Sequence, residues 1–276
     1  MEHGKGIETG IIRSNHEVAA DHHLLEIELC EAFGDALPGQ FVMLRQEGRK
    51  TPLLGRPFSI CSLDDAGGTV HLEILYRIVG KGTAVMASLR NGDTLSVLGP
   101  LGRSFDPVGE ARKVALVAGG VGVAPLICYA ERARKFSGEQ SCEITAYLGA
   151  RTEESLVGLD RLEALCDEVK IATDDGSRGF KGTVTDLFRS DLDVFRAEDS
   201  LVKVCGPKAM AGALARVVKD YGLNCQVSLE ERMACGIGVC LGCAVKGVSD
   251  DVEPRYLRVC KEGPVFDIGE IDWNDF

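Results

Sequence analysis

The run Lys113-Val-Ala-Leu-Val-Ala-Gly119-Gly120-Val-Gly122-Val-Ala-Pro125 decides the architecture of this chain. Val114–Ala118 is apolar without a break, and the glycines after it end a strand. Pro125 suits the first turn of a helix, and apolar residues recur at helical spacing from Ala124 to Lys135. An unbroken apolar strand needs cover on both faces, which is the condition of a parallel sheet. The alternation then repeats: strand Glu143–Gly149, helix Ser155–Asp167, strand Val169–Thr173, helix Thr183–Arg189, strand Leu201–Cys205, helix Lys208–Tyr221. Residues 107–222 therefore read as an α/β domain on a parallel sheet.

Glycines in a strand–helix turn let backbone N–H groups approach a pyrophosphate at the positive helix end. Gly119, Gly120 and Gly122 are the candidate contacts. Pro125 stands where the G-x-G-x-x-G fingerprint has its last glycine, so the motif alone does not identify a nucleotide. Cys205 ends a strand at the edge where such sheets bind ligands, and either a place near a nicotinamide or plain packing suits it. In Thr173-Asp174-Asp175-Gly176 the carboxylates, Asp174 first, would repel a 2′-phosphate and favour NAD over NADP; solvated strand-end acids are the ordinary alternative.

Residues 1–106 have another texture. Short strands over Gly10–Arg13, Leu24–Leu29, Phe41–Leu44, Val70–Tyr76 and Thr94–Leu98 alternate with turn signals, which predicts a small antiparallel barrel. One helix fits, Thr83–Leu89, with Thr83 as N-cap. Arg56-Pro57-Phe58-Ser59 sets a cation, a rigid turn and a hydroxyl within four residues. Tyr76-Arg77 and Gly80-Lys-Gly82-Thr83 follow. Two arginines and a glycine-led helix start suit a diphosphate, and Tyr76 suits a ring system. Taken singly, each also reads as an exposed arginine, a core tyrosine or a capped helix.

Residues 223–276 carry Cys235-Gly-Ile-Gly-Val-Cys240-Leu-Gly-Cys243, with Cys260 sixteen intervening residues later. The C-x4-C-x2-C…C spacing is that of plant-type 2Fe–2S ferredoxins. One tight loop can supply three of the four thiolates that a two-iron rhomb needs. Zinc is the alternative, but its mark is paired C-x2-C units, of which only one is present. Of the other seven cysteines, Cys30, Cys61, Cys128, Cys142, Cys166 and Cys225 read as small buried residues, leaving Cys205. His22 and His23 read as surface residues.

The whole chain has 276 residues, 45% hydrophobic and 26% charged, the composition of a globular protein. A net charge of −11 argues against nucleic acid as a partner. No stretch reaches the roughly 20 apolar residues of a membrane span. The start, MEHGKGIETG, lacks the apolar core of a signal peptide, so a cytoplasmic protein is expected. There, eleven cysteines point to ligands and buried thiols rather than disulfides.

Arg56–Ser59, Tyr76-Arg77, Gly80–Thr83, Leu98-Gly-Pro-Leu-Gly102, Gly119–Pro125 and Cys205-Gly-Pro207 together resemble the ferredoxin reductase superfamily. With Glu230-Glu-Arg-Met-Ala-Cys235 through Cys243 added, essentially the whole chain resembles the electron-transfer subunits of class 1B (NAD-dependent) dihydroorotate dehydrogenases. The resemblance implies a multidomain β plus α/β fold: an FAD-binding barrel, an NAD-binding domain and a small 2Fe–2S module. It implies FAD contacts at Arg56, Pro57, Phe58, Ser59, Leu75, Tyr76, Arg77, Gly82 and Thr83, and cluster ligation by Cys235, Cys240, Cys243 and Cys260. It also implies a partner, an FMN-containing catalytic subunit that oxidises dihydroorotate, two of each forming a heterotetramer. Electrons would pass from FMN through 2Fe–2S and FAD to NAD+, in pyrimidine biosynthesis, with no catalytic acid or base in this chain. The competing layout is a reductase subunit of another flavin and iron–sulfur complex, of the NADH-dependent ferredoxin:NADP oxidoreductase or sulfhydrogenase gamma type.

Overall fold

The computed structural model describes residues 6–30, 33, 35–46, 53–65, 68–136, 142–196, 199–249 and 253–275. The first sheet comprises β1 (Gly6–Ala19), β2 (His22–Cys30), β3 (Phe41–Gln46), β4 (Arg56–Ser59), β5 (Ser62–Asp65), β6 (Thr69–Arg77) and β7 (Thr94–Leu101). Its strand order is β4-β3-β7-β1-β2-β6-β5, antiparallel throughout. The two edge strands are consecutive in sequence, joined only by Ile60-Cys61, so the sheet must curl until its edges nearly meet. Ile60 N–H donates to Gln40 O on one side and Cys61 N–H to Glu73 O on the other. The expected barrel is thus a curled sheet around Ile12, Leu25, Ile27, Val42, Leu44, Leu72 and Val97.

Local departures from the sequence reading have plain causes. Arg56–Ser59 is an edge strand rather than a turn; Pro57, which lacks an N–H, is tolerated at such an edge. The helix α1 (Lys81–Ala87) begins two residues early, with Gly80 at the cap position. Thr83 lies inside its first turn and reaches back, its Oγ1 accepting from Val79 N–H at 2.9 Å. His22 is buried, with Nδ1 2.7 Å from Ala20 O, while Cys30 is exposed and donates to Glu8.

The second sheet is built on β8 (Lys113–Gly119), β9 (Glu143–Ala150), β10 (Glu168–Thr173), β11 (Phe180–Lys181), β12 (Ser200–Cys205), β13 (Cys225–Ser228) and β16 (Val265–Asp267). Its order is β11-β10-β9-β8-β12-β13-β16, parallel except at β16. The helices α2 (Val123–Phe136), α3 (Leu159–Leu165), α4 (Val184–Ser190) and α5 (Lys208–Tyr221) accompany it. The sequence places the start of α3 at Ser155; Gly158 at φ 72° sets it at Leu159 instead. The sheet also runs past residue 222, because β13 and β16 add to its edge. A short hairpin of β14 (Ala244–Gly247) and β15 (Arg255–Arg258) completes the chain. No helix among the described residues is long and apolar enough to cross a membrane.

Asp106, between the two sheets, is fastened to the second. Its N–H donates to Gln226 Oε1 at 2.9 Å, and Gln226 Nε2 donates to its carboxylate at 2.8 Å. Lys203, 1% exposed in the middle of β12, donates to the same Gln226 oxygen at 2.7 Å. Burial brings this ammonium down to about 8, against the pull of Asp106. In the unfolded chain lysine titrates near roughly 10.4, so between these values the unfolded state binds more protons and stability from this group rises with pH. Lys203→Met removes this titrating group, so thermal midpoints measured from pH about 8 toward roughly 10.4 should show the wild type gaining stability relative to the variant.

Candidate functional site

Three groups of residues are candidates for the site. The first lies on the barrel. Arg56 donates through Nη1 to Leu54 O at 2.7 Å and Gly55 O at 3.3 Å, and no carboxylate pairs with it among the described residues. Its guanidinium lies over Gly82 at the start of α1, where a Cβ would come within 2.9 Å of Arg56 Nε. A side chain at this position would push the guanidinium aside. A cation beside a helix start has the chemistry that could bind a diphosphate. Ser59, half-buried at the end of β4, makes no side-chain hydrogen bond among the described residues. Arg77 is exposed.

Tyr76 does not offer an open ring. It is 2% exposed, stacked on His23 at 5.5 Å and met edge-on by Phe58 at 5.9 Å, with its hydroxyl donating to Asn15. His23 is therefore a core contact, where the sequence suggested a surface residue.

The second group is the crevice at the carboxyl ends of β8 and β12. From β8 the chain steps outward to β9 and β10, then crosses back to β12 on the other side of β8. Connections leave in opposite directions at that point, which opens a ligand crevice. Gly119–Gly122 and Cys205-Gly-Pro207 pack against each other there. Gly122 sits so close that a Cβ there would lie 2.4 Å from Cys205 O. Cys205 is 1% exposed; burial pushes its thiol far up, and Glu230 adds to this against the Ser228 hydroxyl. Glu230, just beyond β13, lies near enough to act on the Cys205 thiol; the residue is exposed overall, but desolvation of its carboxyl raises it. Sequence reading gave Glu230 no role of its own; its position after a strand end was the available signal. Leu75 packs in the same core as Val123, Ala124 and Cys205, so β6 of the barrel abuts the crevice. Asp174 is exposed two strands away, after β10, beside Asp175, whose carboxylate accepts from Ser177.

The third group is the cysteine loop. The Cys243 and Cys260 sulfurs are 3.2 Å apart, and the backbone N–H of Cys240 donates to Cys235 Sγ at 3.5 Å, so the four cysteines sit two by two. Gly238 N–H points at Cys260 Sγ at 3.1 Å. At Cys235, burial pushes the thiol up, but N–H groups of Cys240, Ile237 and Val239 outweigh it and bring it to about 6. Among the described residues no three such ligands gather about one ion position. A tetrahedral zinc site needs four ligands around one point, whereas two pairs suit two irons with two thiolates each. The loop rests on the barrel: Gly236 lies against Met43 and Leu101. Met43 is paired with Pro57 across β3 and β4, so the loop and the Arg56–Ser59 stretch are one strand apart.

Comparison with known proteins matches the same three regions. Residues 10–105 fit the oxidoreductase FAD-binding domain, 116–216 the oxidoreductase NAD-binding domain, and 230–272 the iron–sulfur cluster binding domain of dihydroorotate dehydrogenase B. The chain is 39% identical over 256 residues to a dihydroorotate dehydrogenase B (NAD(+)) electron transfer subunit of Desulforamulus reducens, covering 93% of this chain and 94% of that one. It is 37% identical to the subunit so named in Clostridium acetobutylicum, covering 86% and 87%. A chain of the NADH-dependent reduced ferredoxin–NADP oxidoreductase, a structure described for flavin-based electron bifurcation, superposes at TM-score 0.81 with 29% identity, covering 96% and 90%. A ferredoxin NADP+ reductase of Neisseria gonorrhoeae shares the fold at TM-score 0.64 and 18% identity, covering 78% and 92%.

Because the atoms facing Gly122 are backbone, neither wall of the crevice can yield to a larger residue. Gly122→Ala should cost about 1–3 kcal/mol, read as a lowered thermal midpoint; an unchanged midpoint would show that the crevice is looser than its geometry.

Proposed function

Since this chain belongs to the family of dihydroorotate dehydrogenase B (NAD(+)) electron transfer subunits, we propose that it passes electrons from an FMN-containing catalytic subunit, through a 2Fe–2S cluster and FAD, to NAD+ in pyrimidine biosynthesis. The observation that carries this reading is the seating of the cysteine loop on Met43, whose cross-strand neighbour lies in the Arg56–Ser59 stretch. Adjacent strands are about 4.8 Å apart, so a cluster and a flavin held at these places are near neighbours. When bound, the cluster handles single electrons and the flavin converts between these and the pair carried by a hydride.

The residues divide the work. Cys235, Cys240, Cys243 and Cys260 would hold the cluster, and the N–H of Gly238, aimed at Cys260 Sγ, would steady the charge on sulfur. Arg56, with Gly82 and Thr83, holds the FAD diphosphate, and Arg77 adds a second cation. Pro57, Phe58, Leu75 and Tyr76 shape the flavin side of the groove, and Ser59 donates a hydrogen bond at the reactive flavin edge. Gly119, Gly120 and Gly122 admit the nicotinamide dinucleotide, with Cys205 beneath its reactive end and Asp174 toward its ribose, favouring NAD. No side chain acts as general acid or base. We assign FAD binding to residues 1–106, NAD binding to 107–222 and the cluster to 223–276.

The partner docks on the cluster loop. Ile237, Val239 and Leu241 are 50%, 75% and 63% exposed around the exposed Cys240, an apolar collar that an electron-donating protein can cover. We assign a heterotetramer of two subunits of each kind, in the cytoplasm. A reductase subunit of the ferredoxin–NADP type shares this layout; the higher identity to dihydroorotate dehydrogenase B subunits favours the reading given.

Cys240→Ser should lower bound iron and sulfide, measured colorimetrically; full content would remove Cys240 from the ligand set. Arg56→Ala should release FAD, and unchanged flavin stoichiometry would remove that contact. The chain alone should oxidise NADH with an artificial acceptor and leave dihydroorotate untouched. Co-purification should bring down an FMN protein with which it reduces NAD+ from dihydroorotate. Dihydroorotate turnover by this chain alone would overturn the division of labour.

A further inference from the structure

An ion-pair network joins the barrel to the α/β domain, and no step above uses it. Arg161 of α3 donates from Nη1 to Glu73 Oε2 of β6 at 2.6 Å and from Nη2 to Glu131 Oε1 of α2 at 2.5 Å. The other Glu131 oxygen accepts from Ser62 Oγ of β5 at 2.7 Å. Arg161 Nη1 also lies 3.6 Å from the buried Cys61 Sγ. Two of these bonds cross between domains, Arg161 to Glu73 and Ser62 to Glu131. The third locks α2 to α3. The three charged side chains are 28–30% exposed, so they are partly shielded from solvent and their hydrogen bonds are charge-assisted at both ends.

The network grips the barrel beside the site. Glu73 and Leu75 share a face of β6, and Leu75 packs with Val123, Ala124 and Cys205 at the crevice. Cys61 and Ser62 follow Ser59 within three residues, and Cys61 N–H donates to Glu73 O at 2.9 Å. The clamp therefore holds the two barrel segments that carry Ser59 and Leu75–Arg77, from the side of the α/β domain. By contrast, the cysteine loop is seated through Met43 and Leu101, which the clamp does not touch.

We propose that Arg161 is a positioning residue for hydride transfer: gripped by Glu73 and Glu131, it fixes the angle between the flavin-holding barrel and the nicotinamide-holding domain. This rests on the assignment of FAD and NAD to those domains. In the transfer the C4–H bond of the dihydronicotinamide breaks, and both its electrons pass with the hydrogen to the flavin, leaving NAD+. Such a step tolerates little misplacement, about 1 Å costing on the order of a hundredfold in rate. NADH affinity is set within the crevice, so the clamp acts on rate and leaves KM alone.

The test compares the full chain with its Arg161→Met and Glu73→Gln variants. Anaerobic stopped-flow mixing with NADH should show flavin bleaching slowed roughly ten- to hundredfold in Arg161→Met, with FAD content and the NADH KM unchanged. Glu73→Gln keeps the shape, loses one charge and should slow it less. A second readout does not depend on turnover: hydrogen–deuterium exchange should rise in β6, α3 and residues 106–112 of Arg161→Met, with β14 and β15 unchanged. Wild-type bleaching rates in both variants would overturn the proposal. So would slowing matched by lost FAD or a raised KM, or exchange identical to wild type. If NADH fails to bleach the flavin of the wild type, the proposed function falls instead, and the exchange measurement still decides the clamp.

Discussion

Strand β3 is buried on both faces, and the arrangement of the whole molecule follows from what covers each. Val42 and Leu44 point into the barrel, while Phe41 and Met43 point out of it into a core shared with Leu101, Val227, Cys243, Cys260 and Phe266. An antiparallel barrel usually leaves its outer face to water, so a doubly buried strand requires a second unit packed against it. Here that unit is the cysteine module, and Gly236 makes the close approach to Met43 possible. The redox loop is thus fixed to the barrel by apolar packing rather than by a flexible tether.

The α/β domain is held by different means. Its junction with the barrel combines the Asp106–Gln226–Lys203 hydrogen bonds at the linker with the Arg161 network farther along β6. Apolar contact through Leu75 lies between them. Polar bonds are directional, so they set an angle as well as holding surfaces together. A strand that abuts the crevice and carries part of the barrel site is where such an angle has most effect. The cysteine module strengthens the same junction by lending β13 and β16 to the parallel sheet.

Much of this was legible in the chain itself. The unbroken apolar strands before glycines pointed to the parallel sheet, and the cysteine spacing pointed to an iron–sulfur domain, because both patterns are local. The continuous apolar run Phe41-Val-Met-Leu44 also carried the sign of double burial, unusual in a barrel strand, though only the fold says what lies outside it. Other features were ambiguous or misled, for physical reasons. Tyr76 suited either a cofactor ring or the core, and His23 and Phe58 enclose its ring. Thr83 looked like a cap, yet glycine took the cap position and left its hydroxyl to reach back one turn. Arg56–Ser59 looked like a turn, since proline marks turns and sheet edges alike.

The sequence by itself determined the order of the antiparallel and parallel units and pointed to an iron–sulfur module at the end of the chain, since periodicity and cysteine spacing are properties of neighbouring residues. Only the tertiary structure decided that Met43 bridges the cysteine loop to Pro57, that Cys205 backs onto Gly122, and that Arg161 reaches Glu73 across the domain boundary. Those contacts join residues far apart in the chain. They depend on sheet order and on how the sheets face each other, which no local pattern records.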